Sequence, residues 1–145
     1  MSVPTDRSGL SSRFEEIPTS RCEELLARHA AGRVAWNSAS GPKILPVTYQ
    51  YRSGTVVFRT APDGPLAALT RRTRVAFEID EIDEAQERGW SVLVVGFSKG
   101  VTDSYSQSRL WADGPVPWAA GVRNVFVEIA PQSITGRAVR SADAE

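Results

Sequence analysis

The chain is poor in the side chains that most enzymes use for chemistry. Cys22 is its one cysteine, so no disulfide can form within the chain and no thiolate zinc site can be assembled. His29 is its one histidine, which excludes a metal site needing two imidazoles from one chain and leaves any histidine-dependent hydrolase resting on a single residue. There is no excess of charge: 17 Lys+Arg stand against 17 Asp+Glu. That balance argues against nucleic acid or an anionic membrane as partner, either of which would call for a basic surplus. Long apolar runs are also missing. Val92–Val95 is far short of the roughly 20 residues that span a bilayer, and no apolar signal core opens the sequence. These absences predict a cytoplasmic protein.

What is present is an ordinary globular composition, 41% hydrophobic and 23% charged, in 145 residues. That length fits one domain, able to bury roughly 70% of the surface of its unfolded form. Residues 1–13 are Ser, Pro and charge and predict a loose arm; residues 141–145 predict a disordered tail. Ser20 and Glu23 have the spacing of a capping box. Cys22, Leu25, Leu26 and His29 then follow at helical spacing, and Gly32 suits the position just past a helix end, so a helix is predicted over about 20–31.

Beyond Gly32 the apolar period changes to two. Strands are predicted over 33–37, 43–51, 55–60, 74–80, 89–102, 123–130 and 133–139. Pro46 interrupts the second and belongs at an edge or bulge. Arg52-Ser53-Gly54 turns the second strand into the third. Pro65 fits the first position of a short helix reaching about Arg71, and Asp103 can cap another reaching about Trp111. A bend is expected at Gly96 or Gly100. The fold class is mainly β (α+β): about six antiparallel strands with two or three short helices, arranged as a small barrel.

The acidic run from Asp80 to Glu84 lacks the alternation and the turn glycine of a calcium loop, and reads as a solvated strand end. No dinucleotide fingerprint or P-loop is present. Such a chain either binds something or borrows a cofactor. Arg59 and Thr60 end one strand, and Gly64-Pro65-Leu66 opens a helix soon after. Together they suit a phosphate, with helix N–H groups, a hydroxyl and a cation. A surface arginine before a capped helix explains the same residues equally well.

The ordered set Gly32–Ala35, Ile44–Tyr49, Val57–Pro62, Val75–Asp80, Gly89–Gly96, Pro117–Ala119 and Ile134–Arg137 resembles the pyridoxamine 5′-phosphate oxidase-like family, and within it the nitroimidazole-reductase-like branch. The resemblance covers residues 14–139. It implies an FMN-binding split β-barrel over 14–140 and a homodimer with flavin at the interface. The implied ring site runs along Pro46, Val47, Thr48 and Tyr49. The phosphate would meet Arg59 and Thr60 with the helix opening at Gly64, Pro65 and Leu66. Trp90 and Ser91 match the strand that approaches the flavin, and Trp118 a position that reaches it from the partner. Trp36, Trp90, Trp111 and Trp118 supply aromatic surface for such an interface.

Two departures stand out. Pro65 occupies a place where the family usually carries Lys or Arg, and Arg71, Arg72 or Arg74 would have to compensate. No histidine follows His29, so the Arg/His pair that true pyridoxamine phosphate oxidases use on their substrate is missing. The expected function is therefore an FMN-dependent oxidoreductase for another small molecule, with Tyr49 the nearest proton donor. The alternatives are a deazaflavin F420-dependent reductase of the same fold, and a non-catalytic flavin- or haem-binding protein.

Overall fold

The computed structural model describes residues 12–141. Seven strands and two α-helices follow one another along the chain: β1 (Ser12–Ile17), α1 (Thr19–Arg28), β2 (Ala31–Ser38), β3 (Gly41–Arg52), β4 (Thr55–Thr60), β5 (Thr73–Asp83), β6 (Arg88–Gly100), α2 (Ser104–Asp113) and β7 (Val125–Ser141). A single 3-10 turn, Pro65–Thr70, lies between β4 and β5. All strand pairings are antiparallel, in the order β1-β7-β4-β3-β2-β5-β6, and β6 pairs with β7 as well. That last pairing closes six strands into a barrel, with β1 added outside the ring along the far end of β7. The fold is the split β-barrel.

Period two explains the interior. Val34 and Trp36, Val75, Phe77 and Ile79, and Val92 and Val94 alternate with more exposed neighbours and, with Val56 and Phe58, fill the barrel. Helix α1 adds Cys22, Leu25 and Leu26 to the same core. A smaller apolar cluster of Val57, Val101, Leu110 and Phe126 seats α2 on the outside of β4 and β7. Asp103 caps α2 as expected, accepting a hydrogen bond from the Ser106 amide at 2.9 Å.

Several expectations are corrected. Residues 12 and 13, predicted in the arm, belong to β1, and Ser141, predicted in the tail, pairs with Ser12; the rest of the predicted arm and tail, residues 1–11 and 142–145, lies outside the described part. Helix α1 starts at Thr19 with no side-chain cap, so Ser20 and Glu23 form no capping box. The Pro18 carbonyl accepts from both Arg21 and Cys22 instead. The helix ends at His29, and Gly32 lies within β2 opposite Val47. Glycine is required there because a Cβ would come within 2.6 Å of the Phe77 ring. The last two predicted strands are one strand, β7. Its register against β6 slips between Val95 and Gly96, where the β7 partner jumps from Ser133 to Pro131. A Cβ on Gly96 would collide with the Ala130 carbonyl oxygen, so the bend expected at this glycine is a bulge with close backbone approach. No helix among the described residues is long and apolar enough to cross a membrane.

Candidate functional site

The split in the barrel follows from strand register. β3 pairs with β2 from Gly41 to Thr48, but with β4 only from Tyr49 to Arg52. Among the described residues, 41–48 therefore leave one edge without a strand neighbour. Pro46, which has no N–H to offer a ladder, is tolerated on that edge. β4 departs from β3 and ends at Thr60, and the chain returns through the 3-10 turn.

A cavity of about 370 Å³ occupies the gap. Pro46, Val47 and Thr48 line one part, Arg59, Thr60, Gly64, Pro65 and Leu66 another, and Trp118 and Arg123 come from the segment after α2. Its size falls in the roughly 300–1,000 Å³ range of small-molecule sites. Most of the residues picked out in the sequence are thus brought together. Tyr49, Trp90 and Ser91 are not.

Thr60 is the distinctive polar group. It is the last residue of β4 and shares the inward face of Val56 and Phe58, so it is only 4% exposed. Its hydroxyl has no hydrogen-bond partner among the described residues. Leaving a buried hydroxyl unpaired costs about 1–3 kcal/mol, and at a cavity wall it points to a ligand oxygen.

Arg59 takes the opposite face, as the next residue along a strand must. Its guanidinium donates from Nε to the Arg123 carbonyl at 2.9 Å and from Nη1 to the Pro115 carbonyl at 3.4 Å. It also lies over the Trp111 ring at 4.5 Å and the Phe126 ring at 5.5 Å. Arg59 is therefore a half-buried tie between β4, α2 and the following segment, not the exposed arginine that the sequence suggested. Arg123, which sequence reading passed over, is half-buried in the cavity wall, and its side chain has no carboxylate partner among the described residues. Nothing local marks it: it sits beyond a Pro/Gly-rich loop, and only the pairing of β7 with β4 brings it beside Thr60.

The helix opening offers less than expected. It is a six-residue 3-10 turn. The Gly64 amide donates to the Ala61 carbonyl and the Ala67 amide to the Gly64 carbonyl, while Pro65 has no N–H. Of these first amides only that of Leu66 stays available. Nor do Arg71, Arg72 or Arg74 compensate for Pro65, since none lines the cavity. Arg72 and Arg74 instead lie over the Phe97 ring, at 3.7 and 6.0 Å.

The Tyr49 side chain points into the core. Its hydroxyl donates to the Leu26 carbonyl at 2.7 Å, its ring packs edge-on to Phe77, and burial pushes the phenol well above its usual range. It is a structural group and not a proton donor to the cavity. Trp90 and Ser91 line a different cavity of about 660 Å³, with Glu78, Asp80 and Arg137. There the Trp90 indole donates to Glu81 at 3.3 Å and meets the His29 ring edge-on. Arg33 bridges Glu78 and Asp80 at 2.6 and 3.1 Å. Burial first, then the neighbouring Asp80, push the Glu78 carboxyl up despite that arginine. Gly96-Phe97-Ser98-Lys99-Gly100 has the letters of a hydrolase nucleophile elbow, a match overlooked in reading the sequence. It lies inside β6 with Ser98 fully buried against the Arg71 carbonyl, so no strand–turn–helix elbow exists.

Fold and site together define a split β-barrel protein with an anion-suited pocket at the split. Residues 18–138 match the family model described as pyridoxamine 5′-phosphate oxidase, and the chain belongs to that family. An uncharacterized protein of Mycobacterium tuberculosis is 31% identical over 143 residues, covering 94% of this chain and 93% of its own. The solved structure of an FAD binding protein from Mycobacterium smegmatis superposes with a TM-score of 0.72 at 29% identity, covering 86% of this chain and 98% of that one. A putative 5-nitroimidazole antibiotic resistance protein from Bacteroides thetaiotaomicron shares the fold, with a TM-score of 0.71 at 15% identity and 90% of each chain covered.

Proposed function

We propose that this protein is a flavoprotein holding FMN in the cavity beside β3, and that it is an oxidoreductase acting on a small molecule. One observation carries the reading: the buried, unpartnered Thr60 hydroxyl opens onto a cavity that also holds two arginines and no acid. A phosphate ester supplies the acceptor and the negative charge that this set lacks. The unpaired edge at Pro46–Thr48 offers backbone groups to a flat heterocycle, as the family resemblance implies. A structural relative at 29% identity is an FAD binding protein, which supports a flavin at this split.

Bound flavin supplies hydride and electron transfer; the chain supplies binding and orientation. Thr60 donates to a phosphate oxygen, and Arg59 and Arg123 make that end of the cavity positive. Pro46, Val47 and Leu66 exclude water from the apolar part. The titratable groups among the lining residues are the two arginines, so this chain's lining offers no proton donor of its own to the cavity. The lining also has no His, Cys, Met or Tyr to ligate haem iron, and no further cations for the acidic tail of F420. Both facts favour FMN over those alternatives.

A second copy of the chain is proposed to cover the cavity mouth. Trp118, at its rim, is 75% exposed, and Val116 and Val122 flank it at 73% and 70%. Trp111 is exposed as well, but Trp36 is buried in the core and Trp90 packs against His29, so two of the four tryptophans expected at an interface are committed elsewhere. The visible spectrum of the purified protein tests the cofactor, followed by mass measurement of whatever denaturation releases. Flavin bands and the FMN mass are expected. A Soret band, the F420 chromophore, or failure to take up added FMN would overturn the reading.

A further inference from the structure

We infer that Arg123 is the side chain that binds the ligand's phosphate in this cavity, and that Arg59 acts by holding Arg123 in place. The inference rests on the FMN reading for the ligand, but its argument concerns the anion end alone.

Pro65 brings neither a charge nor an N–H to the opening of the 3-10 turn, so a dianion held here takes its cation from elsewhere in the lining. Arg59 is poorly free to do so. Its side chain leaves β4 on the face of α2, opposite Thr60, and its guanidinium is stacked on Trp111 and tied to two carbonyls. Arg123 is differently placed. Thr60 pairs with Val125, and Arg123 stands two residues before Val125 on the approach to β7. Arg123 itself lies outside the strand, in the segment that leads into β7. Arg123 lines the cavity, is half-buried, and has no carboxylate partner among the described residues. Among the described residues, Arg59 fixes its backbone from β4, its Nε donating to the Arg123 carbonyl. A half-buried cation without a counter-ion, beside a buried hydroxyl without a partner, is a site for a phosphate ester.

The roles separate in titrations of the full-length protein with FMN, with riboflavin, which lacks the phosphate, and with inorganic pyrophosphate followed by phosphorus NMR. Arg123→Gln should weaken FMN by about 10- to 100-fold, the range for a lost charge-assisted hydrogen bond, and leave riboflavin unchanged. Arg59→Lys keeps a charge on β4 but loses the fork that holds Arg123. It should weaken FMN to a similar degree, and the double variant should bind no more weakly than Arg123→Gln alone. A merely structural role for Arg59 would weaken riboflavin equally. Full FMN affinity in Arg123→Gln, or additive losses in the double variant, would overturn the assignment. If the parent takes neither FMN nor riboflavin, the flavin reading fails by itself. The assignment then depends on pyrophosphate: binding lost in Arg123→Gln supports it, and binding that is absent or unaffected overturns it.

Discussion

Replacing Thr60 by valine should move stability and ligand affinity in opposite directions. Valine keeps the β-branched shape that suits a strand end and removes only the hydroxyl. In the ligand-free protein Thr60 is 4% exposed and its hydroxyl has no partner among the described residues. Its removal relieves a desolvation penalty of about 1–3 kcal/mol. For a domain of this size each kcal/mol shifts Tm by about 2–4 °C, so a rise of roughly 2–12 °C is expected in calorimetric melting of the apoprotein. With FMN the same change deletes a hydrogen bond to a charged oxygen, which weakens binding by about 1.5–3 kcal/mol, or roughly 10- to 150-fold. A polar group that destabilises the empty fold and stabilises the filled one is the expected signature of a binding residue. If Thr60→Val melts lower than the parent, the hydroxyl has a partner in the apoprotein and the reasoning fails at its first step. If FMN affinity is unchanged, the phosphate lies elsewhere.

Other outcomes follow from the same geometry. Arg59→Ala should lower apoprotein stability by about 1–3 kcal/mol, since it removes two carbonyl ties and the stacking on Trp111, and it should weaken FMN too; chemical denaturation and titration read the two effects. Pro65→Lys should tighten FMN by roughly 1–2 kcal/mol, and unchanged affinity would show that this loop does not face the phosphate. Tyr49→Phe should cost about 1–3 kcal/mol by leaving the Leu26 carbonyl unpaired, with FMN affinity intact. Because burial raises the Tyr49 pKa in the fold, its contribution is fully present below about pH 10, where folded and unfolded chains both keep the proton. It is lost as pH rises further, because the unfolded chain ionises first. Melting of the parent should therefore fall more steeply above pH 10 than melting of Tyr49→Phe. Trp118→Asp should leave sedimentation monomeric where the parent is dimeric.

The barrel was legible because its strands announce themselves by period two: Val75, Phe77 and Ile79 point inward along β5, and Ala76 and Glu78 between them do not. β1 was missed because Ser12–Ile17 has no such alternation; it exists only by pairing with the far end of β7, a contact between residues more than a hundred positions apart. The capping box was misread because Pro18 already supplies the turn that Ser20 would have made. Within the site, the local signals at Pro46–Thr48 and Arg59–Leu66 pointed to one cavity. Period two already put Arg59 and Thr60 on opposite faces of β4, but sequence could not show that Arg59 is tied to the Arg123 and Pro115 carbonyls and stacked on Trp111. Nor could it show Arg123, whose place beside Thr60 depends on the β4–β7 register. Trp90 and Ser91 were drawn in by the family pattern, whereas in the single chain they border the acidic cavity around Glu78 and Asp80.

The central claim is that the split beside β3 is where the cofactor's phosphate is held. A crystal structure of the protein with FMN tests it most directly. The phosphate should lie within hydrogen-bonding distance of the Thr60 hydroxyl and the Arg123 guanidinium, with the ring along Pro46–Thr48. FMN bound with Thr60 still unpartnered, or found instead among Trp90, Ser91 and Arg137 of the same chain, would contradict it.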